Sequence, residues 1–189
     1  MKLSTKRLLA YIIDTVLILI IIMSLKSLLP QNKYEHELGN LNENYIENKI
    51  EFNEYKVNYI NIIHNIDKSQ IGINILLTIL LIISFVIIPL LNKGQTLGCK
   101  LMKIRITSSN KLNMDDLIKR SIIMNGTGYM FLMFIILFFV SSNIYFILIN
   151  IFAFLQIIVV IVSGFMVLYS KQHQGIADIL TKTRIEEIK

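Results

Sequence analysis

The chain has 189 residues, 54% of them hydrophobic and 17% charged, with a net charge of +6 and a mean hydropathy of +0.60. A soluble domain averages about 45–50% apolar and about 25% charged residues, and the apolar excess here lies in long unbroken blocks, so an ordinary water-soluble globule is excluded. The basic residues are scattered between those blocks, which argues against a nucleic-acid partner, and the single cysteine, Cys99, excludes an internal disulfide and a cysteine metal motif.

Four blocks are long enough to cross the roughly 30 Å hydrocarbon core at 1.5 Å per residue: residues 8–29, 71–91, 121–140 and 144–169. The fold class they predict is an all-α membrane protein of four transmembrane helices in one domain, residues 1–189. The first block follows Lys2, Lys6 and Arg7, as a signal peptide would. It is too long for one, holds an acid and lacks a small-residue cleavage site before Pro30, so an uncleaved anchor is expected. The last two blocks are joined by "SSN" alone, which predicts a tight helical hairpin.

Residues 31–70 form a polar, Asn-rich insert in which Leu38, Leu41, Tyr45, Phe52, Tyr55, Tyr59, Ile62 and Ile66 follow a helical repeat broken at Asn48. An amphipathic helix or helical pair is predicted there, with a strand as the alternative because "KIEF" and "YKVNY" alternate. His36 and His64 within the insert read as ordinary surface residues. Residues 92–120 are a basic loop in which "KIRIT" alternates like a strand and "SSNK" reads as a turn. Asn113 then caps a helix with Asp115 and Asp116 in its first turn, where the helix dipole favours acids. The tail, residues 170–189, ends in a second alternating piece, "KTRIEEI", able to pair with the first as a small sheet.

Fourteen Lys and Arg fall in the N-terminus, the 92–120 loop and the tail, against four between the first two spans and Lys26 near the far end of the first. The positive-inside bias therefore predicts both termini in the cytoplasm and an extracytoplasmic insert. The lipid bilayer is the first expected partner.

"RLLAYIID" in the first span, "GQTLGCKLMKIRI" after the second and "QGIADILTKTRI" after the fourth, in that order, resemble the RDD family of bacterial membrane proteins, named for one arginine and two aspartates. Carried over residue by residue, the arginine is Arg7 and the aspartates are Asp14 and Asp178. Gly94, Thr96, Gly98 and Lys100 match the family's Gly-x-Thr-x-Gly turn and following lysine, Arg105 and Arg120 match later basic positions, and Thr183 matches a closing threonine. The position before the second aspartate, often His in the family, is Ala177, so a relay through a histidine there is not implied. The resemblance implies an inner-membrane protein with a transport role, for some members cation/proton exchange.

Read from the residues, Arg7, Ala10, Tyr11 and Asp14 share one helix face. A direct Arg7–Asp14 bridge is disfavoured, because they are roughly 10 Å apart along the axis and helical side chains lean toward the N-terminus. Arg7 is expected to latch onto Asp178, holding the first helix to the C-terminal segment; the alternative is an arginine meeting lipid phosphate. Counted inward from the nearest charge of each span, Asp14 and Thr127 lie seven residues deep, Ser163 eight and Ser84 nine. Pro89 adds a freed carbonyl at Phe85. Asp14, Ser84, Phe85, Thr127 and Ser163 thus make a candidate proton or monovalent-cation site, with the alternative that Asp14 and the hydroxyls serve only as interhelical glue. Asn150 and Gln156 read as helix–helix hydrogen bonds.

"GQTLGCK" is not a phosphate-binding loop, since its spacing is wrong and it follows a membrane helix instead of a strand. Gly94, Thr96 and Gly98 are expected to turn the chain at the headgroups, with Lys100 and Lys103 near lipid phosphates. No nucleophile set and no metal spacing is present in the sequence, so a non-enzymatic role without cofactor is expected. A secondary transporter or ion-coupling protein heads the functional readings, and it predicts a homodimer because four spans seldom enclose a pathway. A scaffold or lipid-binding subunit of a larger complex is the alternative.

Overall fold

The computed structural model describes residues 1–27, 32–108 and 111–188. Helix α1 (Leu3–Ser27) is followed by a helical pair, α2 (Lys33–Ile46) and α3 (Phe52–Ser69). The second long helix runs from Ile71 to Leu91 as α4 (Ile71–Ile82), a π-turn (Ile83–Ile87) and α5 (Ile88–Leu91). A short helix α6 (Leu97–Leu101) and strand β1 (Ile104–Ser108) lead to α7 (Met114–Met124) and α8 (Thr127–Phe139). The chain then forms α9 (Ser142–Tyr169), α10 (Ile176–Leu180) and β2 (Thr183–Glu187).

Three helices are long and apolar enough to cross a membrane, α1, α4 through α5, and α9, and only 11–17% of each apolar window is buried inside the protein. The remaining Ile, Leu and Phe faces point outward, which is stable only against lipid tails. The chain is therefore a multi-pass membrane protein. The observed helices closely follow the expected spans, α4 through α5 residue for residue; the predicted end of the first span and Pro30 lie outside the described residues.

The predicted span 121–140 is not one continuous helix. It is divided between α7 and α8, which meet at 71°. The break falls at Asn125 and Gly126, and Gly126 has φ +74, a conformation a side chain resists. At 13 residues α8 reaches about 20 Å, short of a full crossing by itself. The last carbonyls of α7 lose their helical partners at such a break. Tyr11 Oη of α1 donates to Met124 O at 3.1 Å, and Gln156 Nε2 of α9 donates to Ile123 O at 3.0 Å. The bend is thus pinned by the two helices beside it. Gln156 makes the expected interhelical bond, whereas Asn150 bonds Phe146 O of its own helix.

Pro89 leaves its mark as the π-turn. Its ring crowds the carbonyl four residues earlier, and the chain widens so that Ile88 N–H reaches back to Ile83 O.

At the end of the bundle remote from the termini, α2 and α3 form the helical pair expected of the insert; the strand alternative is not adopted. Tyr45, Tyr55 and Tyr59 line its seam, with Tyr45 and Tyr55 stacked at 4.4 Å. His64, expected at the surface, is buried: its Nε2 bonds Leu137 O at 3.1 Å, and its ring packs on Tyr145. Tyr145 Oη donates to Asp67 at 2.7 Å, fastening α3 across the α8–α9 hairpin. Met130, Met133, Leu137, Tyr145 and Ile149 make the core beneath it.

At the opposite end β1 and β2 pair antiparallel, Ile104 facing Glu187 and Ile106 facing Ile185. Ile104 and Ile106 alternate inward while Arg105 stays exposed, as the "KIRIT" pattern required. Asn113 caps α7, accepting from Asp116 N at 2.8 Å. In the expected "SSNK" turn, residues 109–110 lie outside the described residues.

Candidate functional site

The sheet, α6 and α10 close the end of the bundle that carries both chain termini, and the charged residues of the sequence motifs meet there. Thr96 caps the five-residue α6, its Oγ1 accepting from Cys99 N at 3.1 Å. This places Thr96 Oγ1 and Gly98 N–H on one side of the turn, and both donate to Asp14, at 2.5 Å to Oδ2 and 2.7 Å to Oδ1. The approach depends on Gly98: any Cβ there would run into the Ala10 carbonyl. Ala10, Cys99 and Ile104 form the small core that seals α6 onto α1.

Asp178 stands in the first turn of α10, where Gly175 N–H donates to its Oδ2 at 2.8 Å. Arg7 of α1 pairs with Oδ2 and Arg120 of α7 with Oδ1, and Asp178 is 1% exposed. Arg120 Nη1 also donates to Thr183 Oγ1 at 2.5 Å, and Arg7 Nη1 to His173 O. Burial by itself would raise the Asp178 carboxyl, but Arg120 and then Arg7 outweigh it and hold the group below the usual carboxylate range. The triad ties α1, α7 and the C-terminal segment through one carboxylate. Ser163 of α9 adds a fourth tether, its Oγ accepting from Ile176 N at 3.1 Å.

Between these groups lies a cavity of about 150 Å³, walled mostly by apolar atoms and lined by Arg7, Asp14, Phe85, Arg120, Ser163 and Asp178 among others. Of the five residues expected at one depth, it gathers Asp14, Phe85 and Ser163. Ser84 and Thr127 do not line it, and Thr127 Oγ1 instead meets Ser121 Oγ at 2.6 Å across the α7–α8 bend. Depth along a helix says nothing of direction around it, which is why equal depth did not mean contact. The loosened backbone at membrane depth also lies largely elsewhere, at the carbonyls of Ile123 and Met124.

Arg7 and Asp14 take separate partners, and the latch between Arg7 and Asp178 is present with Arg120 as its third member. Gly94, Thr96 and Gly98, expected at the headgroups, are buried, because the turn folds back onto α1 and the sheet: Gly94 N–H reaches Pro89 O and Ile106 N–H reaches Gly94 O, each at 2.7 Å. Lys100 and Lys103 are exposed. Sequence reasoning missed the bonds from Thr96 and Gly98 to Asp14. Their signal was the pairing of small residues, Ala10 one turn from Asp14 and Gly98 beside Thr96, which together permit backbone contact. Ala177 is buried against the cavity. Among the described residues no group of three or more His, Cys, Asp or Glu is placed to hold a metal ion.

The RDD family model matches residues 3–182, nearly the whole length. The chain belongs to the RDD family. Neither a curated protein nor a solved structure matches it. In this RDD protein the arginine and two aspartates of the motif serve two constellations on one cavity, Arg7 with Asp178 and Asp14 with the Gly-x-Thr-x-Gly turn.

Proposed function

We propose that this RDD protein is a small secondary transporter or ion-coupling protein of the bacterial inner membrane, in which Asp14 binds the proton or small cation. The observation that carries the reading is the placement of Asp14: a carboxylate within a membrane-spanning helix that lines a cavity and, among the described residues, has no cationic partner. Asp178, by contrast, is neutralised from two sides. An intramembrane acid without a counter-charge is costly unless it is protonated or binds a cation. Reversible protonation is the chemistry such a group offers.

The excess of basic residues at the sheet end supports a cytoplasmic position for that end and an outer position for the α2–α3 pair. The Asp178 triad then acts as a cytoplasmic closure, and a homodimer completes the pathway that so few spans leave open. The protein is not an enzyme in this reading, and Lys100 and Lys103 meet lipid phosphates at the inner surface.

One observation favours a second reading, a non-transporting scaffold. Both carboxylate oxygens of Asp14 accept a hydrogen bond, as a purely structural anchor would require. Proton flux in proteoliposomes under Na⁺, K⁺ and Li⁺ gradients and under a pH gradient alone separates the two. Transport predicts flux by the wild type that Asp14→Asn abolishes at equal folded protein. The scaffold predicts no flux from well-folded wild type and less folded protein in the variant.

A further inference from the structure

The two arginines that line the cavity carry N–H groups beyond those bonded within the described residues. Asp178 is occupied by two arginines and Gly175 N–H, and both Asp14 oxygens accept. A guanidinium carries more N–H groups than these bonds use. Arg120 meets Asp178 and Thr183 through Nη1 alone. Arg7 Nη1 and Nη2 make one hydrogen bond each, to His173 O and to Asp178, and Arg7 Nε, which is closed off from the cavity, has no partner among the described residues. The two arginines and Asp178 together carry one net positive charge. A cavity that is otherwise apolar and about 150 Å³ in volume is of the order that admits a benzene-sized guest.

We propose that this cavity binds a small organic monoanion, a carboxylate with a compact apolar body, its oxygens on the free N–H groups of Arg7 and Arg120. The site rests on the transport reading only for its use: it names the species that travels with the proton. The ionisable groups facing the cavity are Arg7, Tyr11 and Asp14 on α1, Cys99 on α6, Arg120 on α7 and Asp178 on α10. Asp14 is the acid among them without a cationic partner, so its charge opposes an anion until it takes a proton. Anion binding and Asp14 protonation therefore favour each other, which is the linkage a symporter needs.

The test uses the full chain in phosphatidylcholine nanodiscs with radiolabelled benzoate at equilibrium and no gradient. Gly164 lines the cavity, and a Cβ there would meet nothing within 4 Å, so Gly164→Leu fills the space without touching the triad. Wild type should bind benzoate saturably, and more tightly as pH falls, because a protonated Asp14 no longer opposes the anion. Gly164→Leu should lose at least tenfold in affinity, roughly the effect of one misplaced side chain in a small site, while Cys99 stays protected from thiol reagents. Neutral benzamide and NaCl should not compete. Displacement by butyrate marks a compact free acid as the ligand and upholds the site, whereas displacement by oleate alone marks a long-chain membrane fatty acid and overturns it. No benzoate binding by folded wild type, or equal binding by Gly164→Leu, overturns it. Binding without flux leaves the site standing and removes the transport reading. Cation-driven flux without anion binding does the reverse.

Discussion

Substituting Gly98 by Ala probes the contact that joins α6 to α1. The added methyl would sit against the Ala10 carbonyl and Cα, which are backbone and cannot rotate away. The chain has two responses. It can hold α6 in place and absorb the overlap, at about 1–3 kcal/mol for an extra methylene in a packed site. Alternatively α6 lifts, and Asp14 loses the bonds from Thr96 and Gly98, each worth about 1.5–3 kcal/mol for a charged acceptor. The overlap is with three backbone atoms of Ala10, which puts the first response in the upper part of its range and still below the second, so the loss is about 2–3 kcal/mol. Cys99, the only cysteine in the chain, sits in α6 and is 5% exposed, so its rate of reaction with a thiol reagent at fixed pH reports local opening. A loss of that size speeds the reaction about 30- to 160-fold. Gly72→Ala is the control, because nothing lies within 4 Å of its added Cβ. A Cys99 rate in Gly98→Ala within about twofold of wild type would refute the account of the α1–α6 contact.

Gly126→Ala separates strain from contact. Its Cβ would lie in open space but its φ is +74, so the expected cost is only the left-handed penalty of about 1–2 kcal/mol, read as a modest drop in thermal unfolding temperature. Arg120→Met leaves Asp178 with Arg7 alone. Breaking a buried pair costs about 3–5 kcal/mol, and the surviving arginine places the loss near the lower figure, with Asp178→Asn recovering part of it in the double variant. The folded-state pKa of Asp178 lies below its unfolded value, so its contribution is complete above the ordinary carboxylate range of about 4 and is lost as pH falls through and below that value. Hydrogen exchange of the β2 amides, corrected for intrinsic rate, should be flat between about pH 5 and 8 and should accelerate below about 4.

The elements set by local chemistry were legible in the sequence. Apolar run length fixed the Ile71–Leu91 helix, alternation fixed both strands, and Asn113 with its following acids fixed the start of α7. The latch was legible because Arg7 and Asp178 are both placed at the mouth of the bundle by the ends of spans. Two features were not. The third span reads as continuous because Gly126 is compatible with a helix; only its positive φ reveals the 71° bend. The partners of Asp14 lie more than 80 residues away, and their approach depends on backbone contact at Gly98, which no periodicity records. Ser84 and Thr127 show the converse failure: a count along a helix gives no direction around it, and neither lines the cavity.

Infrared difference spectroscopy of the protonated carboxyl band in lipid, wild type against Asp14→Asn, bears most directly on whether Asp14 carries the proton. Asn preserves the shape of the side chain and an acceptor for Gly98 N–H, so the variant should fold and differ in one titrating group. A carboxyl band that appears and disappears as pH is varied, and is missing from Asp14→Asn, is the predicted result. Identical difference spectra from the two folded proteins would mean that Asp14 never changes its proton, and would leave it as the anchor of α6 alone.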